Sequence, residues 1–238
     1  MNRRLVACVA LLLLLASCPA VVAQGLKIGH LRADKVLFLG NSITLHGPAP
    51  QIGWDGNWGM AASSREKDYV HLLLSQIAKA AGGVPEAKIK NIADFERSLD
   101  GFAVNDRLKD ELAFEADLII VAIGENVAAL ESDAAQAKFQ AAFTRLLKEL
   151  KAHGKPAIFV RSSFWADPAK DEILKKVCEE TGGTFVDNTK LGSDKANAAR
   201  SERKIDHDGV AAHPGDKGMK AIADALWVAI EEQGSRGR

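Results

Sequence analysis

The sequence offers little to covalent or electrostatic argument. Among 238 residues there are three cysteines, one tyrosine and seven prolines, and 31 basic residues balance 31 acidic ones. Cys8 and Cys18 fall in the apolar N-terminal stretch, so the remainder holds Cys178 alone and has no intramolecular disulfide available to it. Stability must come from a packed core, which 47% hydrophobic against 26% charged residues can provide. The balanced charge argues against a nucleic-acid partner, which would demand a basic footprint. There is no internal repeat, no His/Cys cluster at metal-ligand spacing, and no Gly-x-Gly-x-x-Gly or phosphate-loop lysine after the first strand candidate. Repeat architectures, structural zinc and nucleotide binding lose their sequence support together. The length fits one domain, at roughly 150 residues per domain.

What is present begins with a leader. Arg3 and Arg4 precede an apolar run over 5–16 and small residues ending Val21-Val22-Ala23, the three-part pattern of a secretory signal peptide over 1–23. Leu15-Ala16-Ser17-Cys18 also resembles a lipobox, in which Cys18 would carry a lipid anchor to a membrane. Either route exports the protein, to the periplasm or beyond. The unbroken run falls short of the ~20 apolar residues of a spanning helix. Residues 24–33 read as a linker and 34–233 as the domain.

Within the domain, short apolar runs alternate with stretches of helical period, the signature of a parallel sheet covered on both faces, a three-layer α/β/α class. Strands are expected at 36–39, 89–92, 118–123, 157–160 and 184–186, all too apolar to face water. Helices are expected at 69–81, around the stripe Phe139, Phe143, Leu146, Leu147 and Leu150, at 168–181, and after Pro214, which suits a first helical turn. Cys178 sits on the third of these and reads as a buried structural thiol.

The connection over 42–67 is far longer than a strand-to-helix turn requires, and long ordered loops are commonly functional. It carries His46, Trp54 and Trp58. Two readings of the tryptophans stand side by side: rings lining a carbohydrate site, or rings plugging the loop onto the core. His46, four residues after Ser42, is a candidate pocket residue.

Ligands of open α/β sheets bind beyond the carboxyl ends of the strands, so chemistry is expected at those ends. The first strand runs into Gly40-Asn41-Ser42-Ile43-Thr44, the third into Gly124-Glu125-Asn126, and a loop after the fifth into Asp208-Gly209-Val210-Ala211-Ala212-His213-Pro214. A serine, an asparagine and a histidine more than 80 residues apart at each step thus converge on one sheet edge. Each also has a purely structural reading, as a helix cap or a residue before a helix.

Taken together, the three segments resemble the blocks of the SGNH (GDSL-like) hydrolase superfamily, and the resemblance extends to exported bacterial carbohydrate esterases. It implies a flavodoxin-like sheet of about five strands, Ser42 as nucleophile and His213 as base. It also implies an oxyanion site built from the Ser42 N–H, the Asn126 amide and a backbone N–H after the second strand. Neither metal nor cofactor is required. Two departures stand out. The segment from Asn91 to Arg97 has no glycine for the third oxyanion donor, and Val210 occupies the position, three before the histidine, that usually holds the acid. Asp208, with Asp206 behind it, is the candidate acid; the alternative is a Ser–His dyad whose imidazole is held by a backbone carbonyl. Gly124, His46, Trp54 and Trp58 are the candidate substrate contacts. Glu96 and Arg97 read equally as substrate contacts or as a surface ion pair, and His207 is a rival base.

The expected function is hydrolysis of an ester-linked acyl group, acetyl foremost, from a carbohydrate or other small ester. An acyltransferase sharing the acyl-enzyme is one alternative, and a non-catalytic carbohydrate- or protein-binding module on the same fold is another.

Overall fold

The computed structural model describes residues 25–236. The leader, its two processing sites and any lipid anchor lie outside the described residues. A hairpin of β1 (Lys27–Ile28) and β2 (Leu31–Arg32) comes first. The central sheet follows, with β3 (Lys35–Gly40), β4 (Glu86–Asn91), β5 (Leu118–Ala122), β6 (Ala157–Arg161) and β7 (Thr184–Val186). These five strands lie parallel in the order β4-β3-β5-β6-β7. That is the flavodoxin-like order, whose reversal point falls between β3 and β5. The helices are α1 (Tyr69–Ala81), α2 (Ala93–Arg97), α3 (Val104–Arg107), α4 (Lys109–Leu112), α5 (Asp133–Ala152), α6 (Pro168–Glu180), α7 (Asp208–Ala212) and α8 (Asp216–Ser235).

Alternation along the strands divides the core in two. Leu37 and Leu39 of β3 face a cluster with Phe139, Phe143 and Leu146 of α5, while Val36 and Phe38 face Leu73 of α1 and Ile222 and Leu226 of α8. Both faces of β3 and β5 are sealed, which explains their unbroken apolar runs. Cys178 packs in the first cluster, and burial pushes its thiol up to about 12, so it is inert as a nucleophile.

Three local expectations need correction. The strand expected at 89–92 is β4, Glu86–Asn91, an edge strand that is half exposed and carries Lys88 and Lys90. Charges are tolerated there because an edge strand has one neighbour, and they deter pairing with other chains. The final helix starts at Asp216, since Pro214 is extended and bridges to Ala198. Residues 25–33 are no linker: Ile28 and Leu31 are buried against the core and the His30 N–H bonds to the Gly234 carbonyl at 3.1 Å.

Gly40 ends β3 where the chain must turn against its neighbours. A Cβ there would lie 1.9 Å from Thr44 Oγ1 and 2.9 Å from the Ala122 carbonyl oxygen. Gly40→Ala is therefore expected to cost about 3 kcal/mol, by overpacking a site bounded by backbone. Urea unfolding checks this, and an unchanged midpoint would refute it.

Candidate active site

Beyond β3 the chain makes a tight turn in which the Thr44 and Leu45 N–H groups both donate to the Asn41 carbonyl. The turn lifts Ser42 to the carboxyl edge of the sheet. Its N–H has no hydrogen-bond partner among the described residues, while its carbonyl accepts from Met60 N–H at 2.8 Å. Ser42 Oγ lies 2.8 Å from His213 Nε2. On the other side of the ring, Nδ1 lies 2.7 Å from the Gly209 carbonyl oxygen. A carbonyl can only accept, so Nδ1 carries the proton and Nε2 presents its lone pair to the serine hydroxyl. Burial depresses the His213 pKa below the ordinary imidazole value, an effect that the Gly209 carbonyl and the charge of Glu125 only partly offset. The imidazole is therefore neutral at pH 7, the state a base needs.

Asp208 is not part of this arrangement. It opens the five-residue helix α7, which directs its side chain into solvent, 99% exposed and 4.0 Å from Arg200. Asp206 is 90% exposed beside Lys204. The geometry follows from α7, because one turn of helix brings the residue 209 carbonyl, rather than the residue 208 carboxylate, under the imidazole of residue 213. Asp208→Asn should accordingly leave ester turnover within about twofold of wild type, since surface substitutions away from such features change little. A loss of tenfold or more would return the acid to this residue.

Asn126 is held from two sides. Its Nδ2 donates to Glu96 Oε2 at 2.8 Å, and its Oδ1 accepts from Arg97 Nη2 at 3.1 Å. The opposed charges fix the amide orientation and leave one Nδ2 hydrogen uncommitted. Glu96 is only 1% exposed. Its Oε1 accepts from the backbone N–H of Gly124 at 2.7 Å and of Asn126 at 3.1 Å, tying down the whole turn after β5. Gly124 has φ +127° and lies where a Cβ would be 2.4 Å from Ser163 Oγ, so its role is backbone geometry beneath the site. Burial, reinforced by the neighbouring Glu125, raises the Glu96 pKa.

Glu125 lies deeper. Its side chain is 4% exposed, and Oε1 accepts from Arg161 Nη1 at 2.7 Å and from the Phe164 N–H at 2.8 Å. Asn41 Nδ2 spans the two acids, 2.7 Å from Glu125 and 3.3 Å from Glu96. Although burial works to raise it, the Arg161 guanidinium and these hydrogen bonds hold the Glu125 carboxyl below the usual range. Glu96 is thus no surface ion pair, and nothing in its local sequence marks it as buried.

Of the backbone N–H groups after the second strand, that of Ile92 is taken by the Gly40 carbonyl at 2.6 Å and that of Ala93 by Asn91 Oδ1 at 2.9 Å. Ala93 nonetheless borders the cleft, which has a volume of about 250 Å³ and is lined by Ser42, Asn126, His213, His46, His207 and Arg97 among others. The loop over 42–67 contributes Ile52 and Met60 to that lining, but not its tryptophans. Trp54 is buried with its N–H on the His46 carbonyl, and Trp58 is half-buried with its N–H on the Ala62 carbonyl. The rings meet edge to face at 5.6 Å and plug the loop onto a small apolar cluster with Val210. The aromatic beside the site is Trp165, 38% exposed, its ring 5.3 Å from that of His213. It follows β6, a segment that carries no motif in the sequence.

Residues 38–221 match the GDSL-like lipase/acylhydrolase family. No curated protein matches the sequence. Among solved structures, a candidate GDSL-like lipase from Bacteroides uniformis aligns over 84% of this chain and 97% of its own at 15% identity, with a TM-score of 0.53. An acetyl xylan esterase aligns over 82% and 98% at 18% identity, with a TM-score of 0.52. A family two carbohydrate esterase from Clostridium thermocellum, in complex with cellohexaose, aligns over 88% of this chain and 65% of its own at 14% identity, with a TM-score of 0.51. Identities this low establish a shared fold. The family match covers most of the sequence, and the chain belongs to the GDSL-like lipase/acylhydrolase family, within the SGNH superfamily.

Proposed function

We propose that the protein is a serine esterase that removes acyl groups, acetyl foremost, from carbohydrate after export. The observation that carries this reading is the Ser42 Oγ to His213 Nε2 contact of 2.8 Å, with the Nδ1 proton held by the Gly209 carbonyl. As Oγ attacks the ester carbonyl, Nε2 takes the hydroxyl proton; the oxyanion forms against the Ser42 N–H and the free Asn126 Nδ2 hydrogen. Collapse of the tetrahedral intermediate expels the alcohol, which receives the proton from Nε2. Water then attacks the acyl-enzyme, giving its proton to His213, and the serine departs with that proton as the acid is released. Each of these donors is worth about 3 kcal/mol of barrier.

Carbohydrate as substrate draws support from the leader-like segment and from the acetyl xylan esterase among the proteins of similar fold. The test is mass-spectrometric labelling with a fluorophosphonate. A stoichiometric adduct on Ser42, absent in His213→Ala, is expected together with turnover of p-nitrophenyl acetate. Absence of both would overturn the esterase reading and favour a binding module.

A further inference from the structure

The cleft is lined by one fixed charge, that of Arg97. Arg97, His46, His207 and His213 border it, and no aspartate or glutamate does. Arg97 is exposed and has no carboxylate within ion-pair distance among the described residues. Its neighbours are satisfied by contrast. In the polar depression that adjoins the cleft at Arg97, Lys90 pairs with Glu111 at 3.0 Å and Arg107 pairs with Asp94. Glu96 is the acid just beneath, but it is sealed from solvent and occupied by the Asn126 and Gly124 donors. Arg97 makes one hydrogen bond, from Nη2 to Asn126 Oδ1, which fixes the guanidinium beside the amide at the oxyanion position and leaves its other donors open. An arginine anchored at one nitrogen and otherwise unpaired at a cleft mouth suits bidentate recognition of a carboxylate.

Resting on the esterase reading above, we propose that the substrate carries a carboxylate close to the scissile ester and that Arg97 binds it. An O-acylated uronic acid, with the carboxylate on the sugar, is the substrate class that joins this feature to a carbohydrate. An ester of a dicarboxylic acid presents the same chemistry from the acyl side.

Two matched pairs of esters separate these sources: acetylated methyl glucuronoside against acetylated methyl glucoside, and p-nitrophenyl hemisuccinate against p-nitrophenyl butyrate. Wild type should favour the acidic member of the first pair by about tenfold to hundredfold in kcat/KM, the worth of a charge-assisted hydrogen bond. Arg97→Gln should bring that ratio near one, Arg97→Lys should keep part of it, and added salt should shrink it in wild type alone. Preference in the second pair alone would move the carboxylate to the acyl group and overturn the uronate assignment. A ratio near one in both pairs overturns the inference. So does an equal loss on all four esters in Arg97→Gln with the ratio preserved, because Arg97 would then act only through Asn126. Neutral esters turned over by wild type and not by Ser42→Ala would leave the esterase reading standing in either case. Turnover of no ester by wild type overturns that reading and this inference with it.

Discussion

Replacing Ser42 by alanine is expected to lower turnover of an activated ester by on the order of 10⁴-fold or more, and His213→Gln by a similar factor. The two losses should not add, because nucleophile and base act on one proton. Stability should barely move in Ser42→Ala, since one hydrogen bond to His213 is lost and contributes about 1 kcal/mol. Steady-state rates beside thermal unfolding of the two single variants and the double variant test this. A Ser42→Ala protein retaining a tenth of wild-type turnover would sink the assignment. The pH profile carries the same argument further. The base must be neutral, and His213 is depressed by burial, so kcat/KM should fall as pH falls through a pKa below the ordinary value of about 6.5. An acid limb at or above that value would mean that a carboxylate has joined the imidazole.

The sheet and its reactive edge are legible in the sequence because both follow from local rules. Apolar runs such as Leu118 to Ala122 declare buried strands, and the residues immediately after them inherit the reactive edge. Ser42 and Asn126 are visible on this ground, and His213, well beyond the fifth strand, through the resemblance of the block that carries it. Asp208 misleads because sequence distance from the histidine says nothing about which way a helical turn of five residues points its side chains. Trp54 and Trp58 mislead because composition cannot tell an aromatic plug from an aromatic platform. The acids and arginine beneath the site are illegible for another reason. Glu96 bonds to a turn 28 residues on, and Arg161 to an acid 36 residues back, so no window of local pattern contains both partners. A charged residue at a strand end reads as exposed until the fold closes over it.

That buried network gives the largest stability effect. Arg161, fully buried, is the cation against two carboxylates that Asn41 holds together. Removing it by Arg161→Leu leaves Glu125 without a counter-ion beside Glu96, and breaking a buried pair in this way typically costs about 3–5 kcal/mol. The pH dependence identifies the cause. In wild type Glu125 is held low, so its contribution is present above the unfolded pKa of about 4.3 and lost as pH falls through the lower folded value. Glu96, raised, has the opposite sign: its contribution is complete below the unfolded pKa and lost as pH rises through the folded one. The two act in adjoining windows, one below and one above the unfolded value, so their joint contribution peaks near it. Without Arg161 both carboxyls rise, the folded state binds more protons than the unfolded chain, and stability should fall steadily as pH increases. The deficit of Arg161→Leu should therefore be larger at pH 8 than at pH 5 in urea unfolding, and Glu125→Gln in the same background should restore part of it by removing one unpaired charge. A deficit independent of pH, with no recovery in the double variant, would show that Arg161 matters only for the space it fills.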